Sequence, residues 1–333
     1  MRSRHIAGAP VAAIGLGCMG MSMVYGPADD AESTRVLHRA LDLGVNHSDT
    51  SDAYGAGANE RLLGPVVRAR RDEVFLATKF GIRLPDGAAH SAVPGTRIDS
   101  SPEWARAACD GSLERLGVDT IDLYYLHRRD PATPIEDTVG AMAALVAAGK
   151  VRHLGLSEVS PATLRAAHAV HPIAAVQMEY SLFSREVEDG MLAVCRELGV
   201  TLVAYSPVGR GMLTGTISGT DQLQQDGDYR ATGAPRFSAD ALPTNLVLVD
   251  EVRKVAAEIG CTPAQAALAW VLAQGDEVVA IPGTKRLRYL EENTAAADLT
   301  LTPEQLSRLS AAVPRDAVAG ARYAEGAMRF IGH

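Results

Sequence analysis

The chain has 333 residues, 47% of them hydrophobic and 22% charged, and its formal net charge is −8 at pH 7. This acidic balance disfavours a general nucleic-acid-binding protein, so a phosphate-binding site would need a local basic cluster. The four cysteines are widely spaced and form no C-x-x-C pair, which argues against a disulfide framework or a zinc site. Neither a signal-like N-terminus nor a run of about 18 apolar residues occurs, so we expect a soluble, cytoplasmic protein without a membrane segment.

Short apolar runs alternate along the chain with longer amphipathic segments. The predicted strands are residues 13–16, 44–49, 74–78, 121–126, 151–156, 174–178, 201–205 and 277–281. The predicted helices lie near 31–43, 59–70, 102–116, 135–148, 161–169, 187–198, 245–260, 286–297 and 303–313. Eight strand–helix units with few hairpin signals favour parallel strands, and therefore a single α/β domain over residues 1–333 with a (β/α)8 or TIM-barrel fold. A doubly wound open sheet is the alternative.

Local signals mark the ends of several helices and two long connections. Ser101-Pro102 and Thr262-Pro263 each place a capping side chain before a proline that can begin a helix. Residues 83–99 and 214–243 are long loops that follow the third and the seventh predicted strands. In a barrel both would overhang the C-terminal mouth, so they are candidates for a substrate pocket or lid, with ordinary solvated loops as the alternative.

A literal G-x-G-x-x-G motif, Gly15 to Gly20, follows the first apolar run. A dinucleotide fingerprint also needs its third glycine to begin a helix, but Gly26 and Pro27 interrupt the residues that follow. We therefore interpret the motif as a glycine-rich strand end that a ligand approaches closely.

Four polar residues, Asp49, Tyr54, Lys79 and His127, lie at or just beyond the ends of three predicted strands. The C-terminal ends of barrel strands carry active sites, so we expect these side chains to meet. An ammonium next to a phenol favours the phenolate, so Lys79 should lower the pKa of Tyr54, while Asp49 holds Lys79 by a charged hydrogen bond. His127 could orient a carbonyl oxygen or share in proton transfer. The set predicts reduction of a carbonyl, with Tyr54 as the acid.

The chain resembles the aldo-keto reductase superfamily over roughly residues 10–295. The matching segments are G-L-G-C-M-G at 15–20, D-T-S-D-A-Y-G at 49–55, A-T-K-F-G at 77–81, L-H-R at 126–128, G-L-S at 155–157, Gln177, Y-S-P-V-G-R-G-M-L at 205–213 and I-P-G-T-K-R-L-R-Y-L-E-E-N at 281–293. They are most similar to microbial and plant members that reduce small aldehydes, pyridoxal or quinone-like carbonyls. The resemblance implies a barrel with an N-terminal β-hairpin as its floor and NADP(H) lying across the strand ends.

Site residues follow from the same resemblance. It implies that Tyr54 is the general acid, that Asp49 and Lys79 tune it, and that His127 positions the carbonyl. The implied nicotinamide contacts are Tyr205 by stacking and Ser157 and Gln177 by hydrogen bonds, next to Gly17, Cys18, Met19 and Asp49. The implied pyrophosphate contacts are Ser206, Pro207, Val208, Gly209, Arg210 and Leu213. The implied contacts of the 2′-phosphate and adenine are Gly283, Thr284, Lys285, Arg286, Tyr289, Glu292 and Asn293.

The residues themselves favour a phosphate at the last of these places. Lys285, Arg286 and Arg288 form a local basic cluster on an acidic protein, and they come directly before or within a predicted helix. Backbone donors and the dipole at a helix start favour an anion. The phosphate-bearing cofactor NADP(H) is therefore expected rather than NAD(H).

The substrate is expected to be a small-molecule carbonyl compound, with no nucleic acid, membrane or metal involved and with homo-oligomerisation left open. The residues proposed to line the pocket are Met19, Tyr25, Tyr54, His127, Arg128 and Phe237. Arg128 would favour an anionic or phosphate-bearing aldehyde, although a salt bridge to Asp130 or another neighbour explains this residue equally well. The alternative function is a cofactor-binding regulatory subunit resembling the β subunits of potassium channels.

Five positions depart from common patterns or invite a second interpretation. Ser51 replaces the alanine of the usual D-T-A, and Glu158 stands where a neutral residue is frequent. His47 is expected to pack below the catalytic residues, with a second titrating group in the pocket as the alternative. His168 and His171 have a metal-like spacing, but no further ligand pattern accompanies them, which favours a surface role.

Overall fold

The computed structural model describes residues 2–85, 87–88, 95–328 and 330–332. Its strands are β1 (Ser3–Ile6), β2 (Ala9–Ala12), β3 (Leu16–Gly17), β4 (His47–Asp49), β5 (Phe75–Phe80), β6 (Ile82–Arg83), β7 (Arg97–Ile98), β8 (Ile121–Leu126), β9 (Val151–Ser157), β10 (Ile173–Glu179), β11 (Thr201–Tyr205) and β12 (Val278–Ile281). Eight of them form one parallel sheet in the order β12-β11-β10-β9-β8-β5-β4-β3.

The sheet closes into a barrel where its first and last strands meet. Two parallel bridges, Ile14 with Ala280 and Gly17 with Gly283, join the two edges of the sheet. The predicted (β/α)8 barrel is therefore confirmed, and the open-sheet alternative is wrong. Gly17 is required here, because a Cβ at this position would lie 2.8 Å from the carbonyl oxygen of Ile281. The close neighbour of this glycine in the structure is the last strand, and the approach of a ligand to the glycine-rich strand end stays a prediction.

The helices lie outside the barrel; most of them connect successive strands, and the last three follow the final strand. They are α1 (Asp30–Asp42), α2 (Ala58–Ala69), α3 (Pro102–Leu116), α4 (Ile135–Ala147), α5 (Pro161–Val170), α6 (Met191–Leu198), α7 (Arg230–Gly233), α8 (Leu242–Ile259), α9 (Pro263–Leu272), α10 (Leu287–Ala295), α11 (Pro303–Ala312) and α12 (Glu325–Met328). The predicted helices did not include α9, although its cap was recognised. Thr262 and Gln265 form a capping box there, and all but two of its ten residues are buried.

The N-terminal hairpin forms the floor of the barrel, as the family resemblance implied. Strands β1 and β2 pair in antiparallel fashion, with Ser3 opposite Ala12. Ile6 and Val11 are buried with interior side chains of the barrel such as Phe75, Leu123 and Val203. Burying each such side chain stabilises the fold by roughly 1.5–3 kcal/mol, so an apolar plug is the physical reason for the floor. The first barrel strand, predicted as 13–16, is observed as β3.

Both predicted loops contain local structure. The described part of 83–99 begins and ends in the short antiparallel pair β6–β7, which the sequence had not indicated, while residues 86 and 89–94 lie outside the described residues. The 214–243 connection carries α7 and buries Leu223 and Phe237 against the body of the protein. Within the described residues no single helix is long and apolar enough to cross a membrane, and only α8 and α9 together, bent by 86°, reach that length and composition.

Candidate active site

The three strand ends bring four side chains together, and we call Asp49, Tyr54, Lys79 and His127 the catalytic cluster. Lys79 on β5 is fully buried, and its ammonium donates hydrogen bonds to the Tyr54 hydroxyl at 3.2 Å and to the Thr50 carbonyl at 3.0 Å. The same ammonium forms an ion pair with Asp49, which ends β4. His127 follows β8, and its ring lies edge-on to that of Tyr54 with 5.8 Å between the centroids.

Burial controls the protonation of this cluster. Burial opposes the charge on Lys79, but Asp49 and Tyr54 outweigh it and hold the lysine pKa above its ordinary value. Burial also raises the pKa of the Tyr54 phenol, and the opposing effect of the Lys79 ammonium is smaller. The expected direction of the Lys79 effect is present, but the expected net lowering of the Tyr54 pKa is wrong. Tyr54 therefore carries its proton over the whole neutral range, as a proton donor must.

His127 is a neutral imidazole in this environment. Burial lowers its pKa well below the ordinary value, and the nearby cations of Arg128 and Lys79 lower it further. The Ser51 hydroxyl lies 3.2 Å from His127 Nδ1, so the other ring nitrogen, Nε2, is the one left for a substrate. A neutral ring donates a hydrogen bond through only one of its two nitrogens.

Arg128 lies beside the catalytic cluster without the predicted acidic partner. Its guanidinium donates to the His127 carbonyl at 2.6 Å and to the Ser157 hydroxyl at 3.1 Å. Asp130 instead accepts a hydrogen bond from the Ala132 amide, and among the described residues Arg128 forms no ion pair. The salt bridge offered as an explanation of Arg128 is therefore wrong.

The residues proposed to contact the nicotinamide lie on the strands that follow β8. Ser157 ends β9, Gln177 lies in β10, and Tyr205 ends β11. Gln177 is tied directly to the catalytic cluster, because its amide nitrogen donates to Asp49 Oδ2 at 2.8 Å. On the other side, the Cys18 amide donates to the Asp49 carbonyl at 3.0 Å, and Met19 begins a short 3₁₀ turn. The structure thus places Gln177 and Cys18 in contact with Asp49, and the contact of all these candidates with a cofactor stays a prediction.

The segment proposed for the pyrophosphate folds into a tight glycine-rich turn after β11. Ser206 and Arg210 both have positive φ, at 49° and 55°, a left-handed conformation that is costly for a residue with a side chain. The Arg210 guanidinium points inward, where it donates to Glu179 at 3.0 Å and to the Arg322 carbonyl at 2.6 Å. Leu213 is fully buried. The Arg210 guanidinium is thus already occupied, and the contact of Ser206, Pro207, Val208, Gly209 and Leu213 with a pyrophosphate stays a prediction.

The residues proposed for the adenosine phosphate cluster at the seam of the barrel. Thr284 donates its amide to the Gly17 carbonyl at 3.2 Å and accepts the Asn293 side chain at 3.1 Å. Lys285 is less available than its sequence suggested, because its ammonium donates to the carbonyls of Tyr25 and Pro27, each at 2.8 Å. Arg286 is exposed and directly precedes α10, which carries Tyr289, Glu292 and Asn293.

The C-terminal segment contributes residues that the sequence had not singled out. Arg322 donates to Glu158 at 2.7 Å, to Glu179 at 3.3 Å and to the Tyr205 hydroxyl at 3.2 Å. The Tyr323 hydroxyl lies 2.8 Å from that of Tyr205. We call Glu158, Glu179, Arg210 and Arg322 the tail cluster. The only available sequence signal was two acidic residues, at the end of β10 and just beyond β9, with no basic residue beside either.

The remaining candidates for the substrate pocket have different surroundings. Tyr25 packs edge-on against Tyr229 at 5.9 Å, and Arg230 lies over its ring at 5.2 Å. Phe237 is only 2% exposed and belongs to the hydrophobic core, so packing accounts for it. Burial lowers the pKa of His47 to about 4, and neither of its ring nitrogens has a partner among the described residues. In the described parts of the chain, no group of three or more His, Cys, Asp or Glu side chains could hold a metal ion.

Comparison with known proteins gives a consistent result. A family described as the aldo/keto reductase family matches residues 13–314. "Aldo-keto reductase yakc [NADP(+)]" of Schizosaccharomyces pombe is 45% identical over 331 residues, covering 98% of this chain and 95% of the relative. The structure of the glycerol dehydrogenase AKR11B4 from Gluconobacter oxydans superposes with a TM-score of 0.84 at 29% identity, over 94% of this chain and 95% of that one. An aldo/keto reductase from Klebsiella pneumoniae, solved in complex with NADP and acetate, gives a TM-score of 0.70 at 28% identity, over 93% of this chain and 94% of that one.

Proposed function

The chain belongs to the aldo/keto reductase family and uses NADP(H), and from this premise we propose that it reduces an aldehyde or ketone to the alcohol with Tyr54 as the proton donor. The observation that carries the proposal is the buried contact of 3.2 Å between Lys79 Nζ and the Tyr54 hydroxyl, with Asp49 behind the lysine. A small-molecule carbonyl compound is the proposed substrate.

The described residues fit the cofactor. The start of α10 already holds an anion, because the Leu287 amide donates to the Glu32 carboxylate at 3.3 Å. A phosphate bound there would share this helix start with the Glu32 carboxylate, and the cations of Lys285 and Arg286 favour its negative charge. Arg286 is exposed and is the proposed partner of the 2′-phosphate, whereas Lys285 is proposed to contribute charge only, because its ammonium is bound to the 25–27 segment. Ser157, Gln177 and Tyr205 are the proposed contacts of the nicotinamide.

The bound cofactor supplies the hydride, and the protein supplies the proton and the orientation. Tyr54 releases its phenolic proton to the carbonyl oxygen, and the adjacent Lys79 ammonium stabilises the phenolate that remains. Asp49 keeps Lys79 charged inside a buried site, where an unpaired ammonium would be costly. His127 donates from Nε2 to the carbonyl oxygen and so holds the carbonyl carbon in place. General acid catalysis by a positioned side chain contributes typically 10²–10⁴-fold to the rate.

Steady-state oxidation of NADPH with a panel of aliphatic and aromatic aldehydes and small ketones tests the proposal. We expect turnover of at least one class of carbonyl compound, together with NADPH binding measured by fluorescence titration. Tight NADPH binding without turnover across the whole panel would contradict the reductase proposal and would favour a regulatory subunit.

A further inference from the structure

The Ser51 hydroxyl lies between the imidazole ring of His127 and the carboxyl group of Asp52. Its oxygen is 3.2 Å from His127 Nδ1 and 3.2 Å from Asp52 Oδ1, and it accepts a hydrogen bond from the Ala53 amide at 3.2 Å. Ser51 is fully buried and Asp52 half-buried. In the part of the chain that the structure describes, Asp52 forms no ion pair, and the Ser51 hydroxyl is hydrogen-bonded to its carboxyl. The usual alanine at position 51 would provide none of these contacts.

The Ser51 hydroxyl cannot donate a hydrogen bond to His127 and to Asp52 at the same time. A serine hydroxyl has one hydrogen to donate and two lone pairs to accept with, and the Ala53 amide occupies one lone pair. The hydrogen can go to His127 Nδ1 or to Asp52, while the Lys79 carbonyl at 3.4 Å is a more distant third acceptor. A neutral imidazole carries one N–H, so the direction of the Ser51 hydroxyl decides which ring nitrogen of His127 holds it.

Two arrangements satisfy every group. With Asp52 protonated, its O–H donates to Ser51, Ser51 donates to His127 Nδ1, and the imidazole proton is on Nε2. With Asp52 ionised, Ser51 turns its hydrogen to the carboxylate and accepts from His127 Nδ1–H, so Nε2 has only a lone pair. One proton leaves Asp52 for solvent, and the ring stays neutral in both arrangements. Only the first allows His127 to donate to a substrate carbonyl.

We propose that Ser51 is a positioning residue that sets the tautomer of the catalytic His127, and that Asp52 selects between the two tautomers by gaining or losing its proton. The inference rests on the proposed function, in which His127 orients the substrate carbonyl. Reduction is then possible at pH values at which Asp52 is protonated, and it is impaired at the higher pH values at which Asp52 is ionised.

The surroundings of both titrating groups place this change in an accessible range of pH. Burial raises the pKa of Asp52 to about 8, the Glu60 carboxylate of α2 adds to the effect, and Arg115 of α3 opposes it. His127 faces the cations of Lys79 on β5 and of Arg128, together with the Tyr54 ring, and it stays neutral. The pKa of Tyr54 lies above its ordinary value, so loss of the catalytic proton belongs to a higher pH than loss of the Asp52 proton.

The pH dependence of kcat/KM for an accepted aldehyde tests the switch in full-length protein. The wild type should lose activity around pH 8, where Asp52 ionises. In Asp52→Asn an amide donates to Ser51 at every pH, so activity at mildly alkaline pH should exceed that of the wild type and the inflection should move upward. Ser51→Ala should lower kcat/KM roughly tenfold, as expected for loss of one hydrogen bond, and should remove the inflection near pH 8. Ser51→Thr keeps the hydroxyl and should restore both.

Two further measurements separate this proposal from its alternatives. Ser310→Ala removes a hydroxyl on α11 that accepts from Trp270 at 2.9 Å and does not contact Ser51, Asp52 or His127, so it should lower stability without changing the pH profile. The ¹⁵N chemical shifts of His127 report its tautomer without any substrate, and they should exchange Nε2–H for Nδ1–H as the pH rises through 8. An unchanged tautomer across this range, or an unchanged inflection in Asp52→Asn, would overturn the switch even if the enzyme reduces carbonyls. Absence of turnover with the expected tautomer change would instead count against the proposed function.

Discussion

The catalytic cluster and the tail cluster both hold buried charges at the mouth of one barrel, but they are assembled in different ways. Lys79 and Asp49, which pair in the catalytic cluster, are 30 positions apart and lie on neighbouring parallel strands. Arg322 and Glu158, which pair in the tail cluster, are 164 positions apart, and only the C-terminal segment brings them together. The first arrangement follows from strand order and is therefore readable in a sequence. The second depends on how the connection between α11 and α12 lies against the barrel.

The difference extends to what each cluster should do. In the catalytic cluster the lysine is hydrogen-bonded to the group proposed to react, so its disruption should appear first in turnover. In the tail cluster Arg322 satisfies two carboxylates that no longer have access to water, so its disruption should appear first in stability. Substitutions that separate these two readouts are the direct way to test the comparison.

The largest effect is expected from Tyr54→Phe. This change removes the proposed proton donor and keeps the ring, so kcat should fall by about 10²–10⁴-fold while NADPH affinity is retained. Single-turnover oxidation of NADPH and a binding titration measure the two quantities separately. Tyr180→Phe is the matched control, because it removes a tyrosine hydroxyl that donates to Glu188 at 3.0 Å. This hydroxyl does not belong to the catalytic cluster. Retention of most of the turnover in Tyr54→Phe would show that another group supplies the proton.

Arg322→Met tests the structural role assigned to the tail cluster. Leaving a buried carboxylate without its cation costs about 3–5 kcal/mol, so the free energy of unfolding in urea should fall by that amount. Arg315→Met is the control from the same segment, since its ion pair with Asp189 is exposed and should contribute below about 1 kcal/mol. Equal losses in the two variants would mean that the tail is held by its packing and that the buried charges contribute little.

His47 tests the barrel interior beneath both clusters. Burial lowers its pKa to about 4, below the ordinary value of about 6.5, so the unfolded chain binds more protons than the folded one between these values. The stabilisation is complete above about pH 6.5 and declines as the pH falls toward 4, by at most about 3 kcal/mol. His47→Gln should flatten this part of the pH profile of unfolding. A profile as steep as that of the wild type would assign acid sensitivity to another group.

The smallest effect is expected from Arg286→Met, at a position that belongs to neither cluster. Loss of one exposed cation near a phosphate should weaken NADPH binding roughly tenfold and leave NADH binding unchanged. Arg165 is an exposed arginine on the outer helix α5, and it is paired with Glu197. Arg165→Met should change neither the NADPH affinity nor the NADH affinity. Equal weakening for both cofactors would place Arg286 elsewhere than at the 2′-phosphate.

The sequence predicted those parts of the structure that depend on local pattern. The barrel followed from eight strand–helix units, and the catalytic cluster followed from polar residues at strand ends, because parallel strands direct those ends to one face. It did not predict the net pKa of Tyr54, since burial depends on everything packed around the phenol. It also did not predict the pairing of Arg210 with Glu179 and overlooked Arg322, because a side chain's partner across the fold leaves no trace in its neighbours along the chain.

The seam of the barrel has a consequence for how the protein keeps its shape. The first and last strands meet through few backbone hydrogen bonds, among them Gly15 to Ala280 at 2.8 Å and Thr284 to Gly17 at 3.2 Å. The residues proposed to hold the cofactor stand on both sides of this junction. A ligand spanning it acts as a staple, and binding only to the closed form stabilises that form in proportion to the logarithm of ligand concentration over Kd. The thermal stability of the enzyme should therefore increase with the concentration of its coenzyme, because the bound coenzyme holds the two edges of the barrel together.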